Sequence, residues 1–244
     1  MSPSENSSSP VFSISKLQVR YGRATAVEEL DLRAEKGEAL GLLGANGAGK
    51  TSTLKALMGM LKPHSGSVQI FGQTPGSVAA LSRTGFAPEE AIPPEKVTGQ
   101  EFLEFMARLR VADRSKHKEE CASLLEAFDL VPHKRVQDYS KGMKRRLVLA
   151  QAFVGTPEFL VLDEPLNGLD PLIIVKLRQR LETYRQQGGT LLYSSHILAE
   201  VERTCTRIAV LHRGQLVYQA PVSEAVSKFG SVEAAFEAAA GGKT

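Results

Sequence analysis

The sequence predicts an α/β protein, on three observations. Short apolar runs alternate along the chain with stretches of helical spacing. The run "FLVLD" (159–163) is apolar up to its closing acid, as a strand covered on both faces must be. A glycine-rich turn, Gly44-x-x-x-x-Gly49-Lys50-Thr51, joins an apolar run to an amphipathic pattern, which makes a strand–turn–helix unit.

The elements follow in order. "MSPSENSSSP" has neither the basic n-region nor the apolar h-region of a signal peptide, and residues 1–10 read as a disordered polar tail. Strand candidates are "FSISKLQV" (12–19), "AVEELDL" (26–32), "EALGLLG" (38–44), "SVQIFG" (67–72) and "TGFA" (84–87). From Pro88 to Gly155 the pattern is helical. "TGQEFLEFMARLR" opens with a capping box, Thr98 and Glu101, and places Phe102, Phe105, Met106 and Leu109 at i, i+3, i+4, i+7. Cys121, Leu124, Leu125 and Phe128 repeat that spacing. Strands resume with "FLVLD", "TLLYSS" (190–195), "RIAVL" (207–211) and "QLVYQ" (215–219). "SVEAAFEAAAGGKT" predicts a short C-terminal helix with a frayed end. An α/β core over 11–87 and 156–228 is thus interrupted by a helical insert over 88–155 and followed by a helix and tail over 229–244.

Bulk properties narrow the function. A chain of 244 residues suits one large domain or one core with an insert. A net charge of +3 is too small to imply a nucleic-acid partner. Two cysteines, Cys121 and Cys205, make neither a disulfide framework nor a zinc spacing, which favours a reducing compartment. No apolar run approaches the ~20 residues of a membrane span, so a membrane role has to come through a partner. There is no internal repeat.

The chemistry is carried by two segments. In "GLLGANGAGKTS", glycines let successive backbone N–H groups point at phosphate oxygens, and the following helix adds its positive end. This is a P-loop in its required context, made of Gly44, Ala45, Asn46, Gly47, Ala48, Gly49, Lys50, Thr51 and Ser52. Lys50 is expected on the β- and γ-phosphates and the Thr51 hydroxyl on Mg²⁺. "FLVLDEP" brings Asp163 and Glu164 to the carboxyl edge of a strand, where ligands bind in open α/β sheets. There Asp163 would hold the metal and Glu164 would deprotonate water.

With these two segments in place, the rest of the chain resembles the ATP-binding cassette (ABC) ATPases, the nucleotide-binding subunits of ABC transporters, from about Ser13 to Gln219. Tyr21 in "LQVRYG" matches an aromatic that stacks on adenine in that family. "GFAPEEAIPP" matches the loop that usually carries Gln before the helical insert, with Glu89 at that position, a carboxylate able to ligate the metal. Tyr139-Ser140-Lys141-Gly142-Met143 matches the signature motif Leu-Ser-Gly-Gly-Gln only at Ser140 and Gly142. "LNGLD" (166–170) matches the D-loop, with Asp170 as its acid, and "SSHILAEVE" places His196 as the switch histidine. Glu89 and the "SKGM" variant resemble bacterial branches that export drugs, lipids or polysaccharides.

The resemblance implies a P-loop NTPase (RecA-like) core, an N-terminal antiparallel β subdomain and an inserted α-helical subdomain. It implies ATP and Mg²⁺ as cofactors, catalysis by Glu164 and His196, and a second cassette, a homodimer being the expectation, on whose ATP Ser140, Gly142 and Asp170 act. A separate transmembrane permease and a place on the cytoplasmic face of the inner membrane follow. Ser140 is expected to cap a helix whose basic first turns, Lys141, Lys144, Arg145 and Arg146, face an incoming triphosphate. One rival is a soluble cassette acting on nucleic acid or ribosomes; these usually carry two cassettes or a long coiled coil, and neither is present. A GTPase or small-molecule kinase lacks support, because there is no Asn-Lys-x-Asp motif. A degenerate cassette that only binds ATP is opposed by Glu164 and His196.

Overall fold

The computed structural model describes residues 9–110 and 113–241. Most of the expected tail and the last three residues of the expected frayed end therefore lie outside the described residues. The chain runs β1 (Phe12–Tyr21), β2 (Ala24–Ala34), β3 (Ala39–Leu43), α1 (Lys50–Leu57), β4 (Ser65–Ile70), α2 (Val78–Leu81) and β5 (Thr84–Ala87). It continues through α3 (Gly99–Arg110), α4 (His117–Ala127) and α5 (Lys141–Ala152), then β6 (Phe159–Asp163), α6 (Pro171–Gln186), β7 (Thr190–Ser195) and α7 (Leu198–Thr204). β8 (Arg207–His212), β9 (Gln215–Pro221), α8 (Val222–Phe229) and α9 (Val232–Gly241) complete it. Every strand expected from the sequence forms.

β1 lies between β2 and β4 in an antiparallel sheet. The larger sheet has the order β5-β6-β7-β3-β8-β9, parallel throughout except for β9. β9 returns through a two-residue turn at Arg213 and Gly214, both with positive φ, which matches the twist of the hairpin. Parallel pairing sets Asp163 beside Ser194, and Leu43 beside Ser195. The chain segments leaving β6, β7 and β3 therefore emerge together at one sheet edge.

The strict period of two sorts side chains into two cores. Leu40, Leu42, Phe159, Val161, Leu192, Ala209 and Leu211 face the antiparallel sheet and α1, where Phe12 stacks on Phe159 at 5.3 Å. Ala39, Leu43, Leu160, Leu162, Leu191, Tyr193, Ile208 and Val210 face the helices. β3 keeps Gly41 on that second face because α7 crosses close to it. A Cβ there would overlap Cγ1 of Val201 and lie 3.1 Å from Sγ of Cys205.

In the insert, the Thr98–Glu101 capping box forms in both directions, at 2.7 and 3.2 Å. The apolar face of α3 is shifted from the expected one. Phe102 and Met106 pack half-buried against the core as expected, Leu103 and Ala107 are fully buried beside them, and Phe105 and Leu109 are exposed. At the helix start the Tyr139 ring lies so close to Gly99 that a Cβ there would overlap its hydroxyl. Gly99 heads the buried row of 99, 103 and 107. At the C-terminus there are two helices rather than one. α9 buries Val232 and Ala235, and its Val232 N–H donates to Glu202 at 2.8 Å.

Gly41→Ala is expected to destabilise the chain by about 1–3 kcal/mol through overpacking against α7. The Gly41→Ala/Val201→Ala pair is expected to recover part of that loss. Thermal or urea unfolding of the two variants measures both.

Candidate active site

The loop between β3 and α1 turns tightly enough to need its glycines. Gly47 and Gly49 have φ of 81° and 105°, and a Cβ on Gly49 would lie 2.5 Å from the Ala26 carbonyl oxygen. α1 starts directly at Lys50, so its N-terminal end meets the loop. A cavity of about 400 Å³ results, lined by Ala26, residues 45–52, Glu89 and Glu164. The Lys50 ammonium is buried and donates to the Gly44 carbonyl at 2.7 Å. It also stands 3.3 Å from Oε1 of Glu164, which is equally buried.

The adjacent strand ends supply the acids. Asp163 is buried, and its Oδ1 accepts from the Ser194 hydroxyl at 2.5 Å. Glu164 has φ of 45°, a left-handed conformation that is costly for a residue with a Cβ. Its N–H donates to Ser194, through the hydroxyl at 3.0 Å and the carbonyl at 3.2 Å. Its carboxylate lies 2.8 Å from Nδ1 of His196 and accepts from the His196 N–H at 3.4 Å. One carboxylate thus stands between a fixed ammonium and an imidazole that is half exposed to solvent.

Glu89 reaches the same cavity from the start of the helical insert, and its Oε1 accepts from the Asn167 amide at 2.9 Å. Tyr21 is half exposed at the end of β1, with its hydroxyl 3.4 Å from that of Ser52. Thr51 and Glu89 line the cavity, while Asp163 stands outside its lining with Oδ1 held by the Ser194 hydroxyl. Hydroxyl and carboxylate oxygens are the hard donors that Mg²⁺ takes, with water and substrate phosphate completing its shell.

The other expected residues lie elsewhere. Ser140 caps α5, its hydroxyl accepting from the Met143 N–H at 3.2 Å. Gly142 faces the Gly168 carbonyl, 3.2 Å from where a Cβ would sit. Asp170 caps α6 by accepting from Ile173 N–H at 3.0 Å. None of the three lines the cavity of their own chain.

The basic run differs most from expectation, because three of its side chains are bound within the chain. Lys144 pairs with Glu95 at 3.0 Å, and Arg146 meets the Phe128 and Asp129 carbonyls and the Asp129 carboxylate. Arg145 is buried and donates to four carbonyls, those of Pro88, Glu89, Asp163 and Glu164, at 2.5, 3.2, 2.7 and 2.9 Å. Burial pulls its guanidinium down from the ordinary arginine value, against the attraction of Asp163, Glu89 and Glu164. A signal for this was present: Arg145 shares a helical stripe with Val148, Leu149 and Ala152, all buried. A charge on a buried stripe requires partners. Ser194 also went unassigned, although "TLLYSS" puts two hydroxyls at the edge where ligands bind.

Comparison with known proteins agrees with this geometry. The family model described as ABC transporter matches residues 27–167. The bacitracin transport ATP-binding protein of Enterococcus faecalis is 39% identical over 219 residues, covering 88% of this chain and 70% of that protein. The Nod factor export ATP-binding protein of Ralstonia nicotianae is 35% identical over 226 residues, covering 90% of this chain and 70% of that protein. The chain spans 62% and 58% of the length of two further curated relatives. A solved ATP-binding subunit of an ABC transporter superposes with a TM-score of 0.86 at 28% identity, covering 93% of this chain and 98% of that one. The chain belongs to the ABC transporter family, among its ATP-binding proteins.

Proposed function

We propose that the chain binds ATP in the cavity over residues 45–52 and hydrolyses it to power export through a separate membrane subunit. The observation that carries this reading is Glu164, buried at the cavity wall between Lys50 and His196. ATP lays its triphosphate along the N–H groups of the loop and the end of α1, with Tyr21 beside the adenine. Lys50, held by the Gly44 and Ala45 carbonyls at 2.7 and 3.4 Å, brings its ammonium to the β- and γ-phosphate oxygens. Mg²⁺, when bound, offsets the phosphate charge, and Thr51, Asp163 and Glu89 are the residues that would hold it.

Glu164 takes a proton from the water that attacks the γ-phosphorus. The bond from that phosphorus to the β–γ bridging oxygen breaks, leaving ADP and inorganic phosphate. His196 holds the Glu164 carboxylate through Nδ1 and its N–H. Ser140, Gly142 and Asp170 lie outside their own cavity and act on ATP held by a second copy. Ser140 brings a helix N-terminus to it.

Among the described residues no helix is long and apolar enough to cross a membrane. On this reading the membrane step belongs to a separate permease, which holds the chain at the cytoplasmic face of the inner membrane and docks on the helical insert and the 87–96 loop. Export rests on Glu89 and the "SKGM" signature, and a relative named for Nod factor export supports it.

Glu164→Gln is expected to lower ATP turnover by about 10²–10⁴ while ATP binding survives. Near-normal turnover would remove Glu164 as the base. In the Glu164→Gln chain, ATP is expected to produce a dimer on size exclusion. Adding Ser140→Ala, which removes a cap worth about 1 kcal/mol, is expected to abolish that dimer. Affinity purification from detergent-solubilised membranes is expected to recover a multi-span membrane protein with the chain. Repeated recovery of soluble proteins only would count against export.

A further inference from the structure

We infer that Arg145 is a positioning residue for hydrolysis, whose guanidinium fixes the backbone of Glu164 and ties it to the 88–89 loop of the helical insert. The inference rests on the reading of Glu164 as the base.

The argument starts from what the guanidinium touches. All four of its acceptors are backbone carbonyls of residues at the site. Two belong to Asp163 and Glu164, at the end of β6. Two belong to Pro88 and Glu89, where Glu89 also lines the cavity. Neither pair is joined to the other by a strand ladder at this point, because β5 ends at Ala87 and β6 at Asp163. Arg145 closes the gap just beyond the last paired residues of those two strands.

Glu164 is the residue at the site whose backbone such a hold would steady. Its backbone is left-handed, with φ of 45°, and such strain persists only when the surroundings over-determine it. Ser194 binds the N–H of Glu164 on one side of the residue, and Arg145 binds its carbonyl on the other. The Asn167 N–H reaches the same Glu164 carbonyl at 3.3 Å, while the Asn167 amide holds the Glu89 carboxylate. Loop 88–89, α5 and the segment 163–167 are thus linked through one planar cation. A lysine ammonium is a point charge with three donors and cannot reproduce that fork.

A displacement of the insert that moves α5 therefore moves the Glu164 carbonyl, and with it the direction of the Glu164 side chain. Misplacing a catalytic group by 1 Å is enough to cost about 10²-fold in rate.

The test measures ATP turnover and ATP affinity for Arg145→Lys, in the full chain and in the Glu164→Gln background. Turnover at saturating ATP is expected to fall about 10²-fold, with the dissociation constant for ATP changed by no more than about threefold. In the Glu164→Gln background the same substitution is expected to cause no further loss, because residues that act through one group are not additive. Unchanged turnover, or an equal loss in both backgrounds, would overturn the inference. Should the lysine variant not fold, Arg145→Gln replaces it, a planar amide without a buried charge. Failure of both to fold would reduce Arg145 to a structural part and overturn the inference too. Full turnover in Glu164→Gln alone overturns the base assignment, a result separable from the other two.

Discussion

A buried arginine cannot shed its charge, and the arrangement of this site follows from that constraint. The Arg145 guanidinium sits on the inward stripe of α5, where desolvation is costly unless its donors find acceptors. Its two terminal nitrogens find four carbonyls from two chain segments far apart in sequence, 88–89 and 163–164, while Nε has no acceptor among the described residues. Their convergence fixes where the helical insert meets the parallel sheet. It also holds the chain where it leaves β6, just before Asn167 and the cap at Asp170. The same cation adds positive charge behind a cluster of carboxylates, Asp163, Glu164 and Glu89, that would otherwise repel one another.

Around that centre the site is built from strand ends. Parallel pairing places the ends of β3, β7 and β6 side by side, with the loop, the serines and the acids each leaving one of them. The order of these strands in the sheet is not their order in the chain, so residues separated by more than a hundred positions become neighbours. Lys50 and Glu164 are the clearest case, and both are almost fully buried. Little exposed on the cavity wall, they attract one another more strongly than they would at the open surface.

Much of this was legible in the sequence. The strands announced themselves because a sheet covered on both faces needs continuous apolar runs, and "FLVLD" and "TLLYSS" have no other reading in that context. The glycine spacing around Lys50 was readable because the loop's backbone angles exclude most other residues. The face of α3 was only partly readable from periodicity. Of the stripe Phe102, Phe105, Met106 and Leu109, the first and third pack against the core, but the fully buried row is that of Gly99, Leu103 and Ala107, whose small members allow closer packing. The basic run was misleading for a related reason. Charge counted along the chain says nothing of direction, and only the helical stripe separates Arg145 from its neighbours. The link from Asn167 to Glu89 was invisible, because it depends on where two loops meet rather than on any local pattern.

The bond from Lys50 to the Gly44 carbonyl has one more consequence. It runs from the first residue of α1 back to the first residue of the loop, a clasp across six positions. The loop's shape is therefore set by its own lysine when the domain folds. The conformational freedom of those residues is lost at folding rather than at each binding event, so the loop is preorganised for whatever its N–H groups receive.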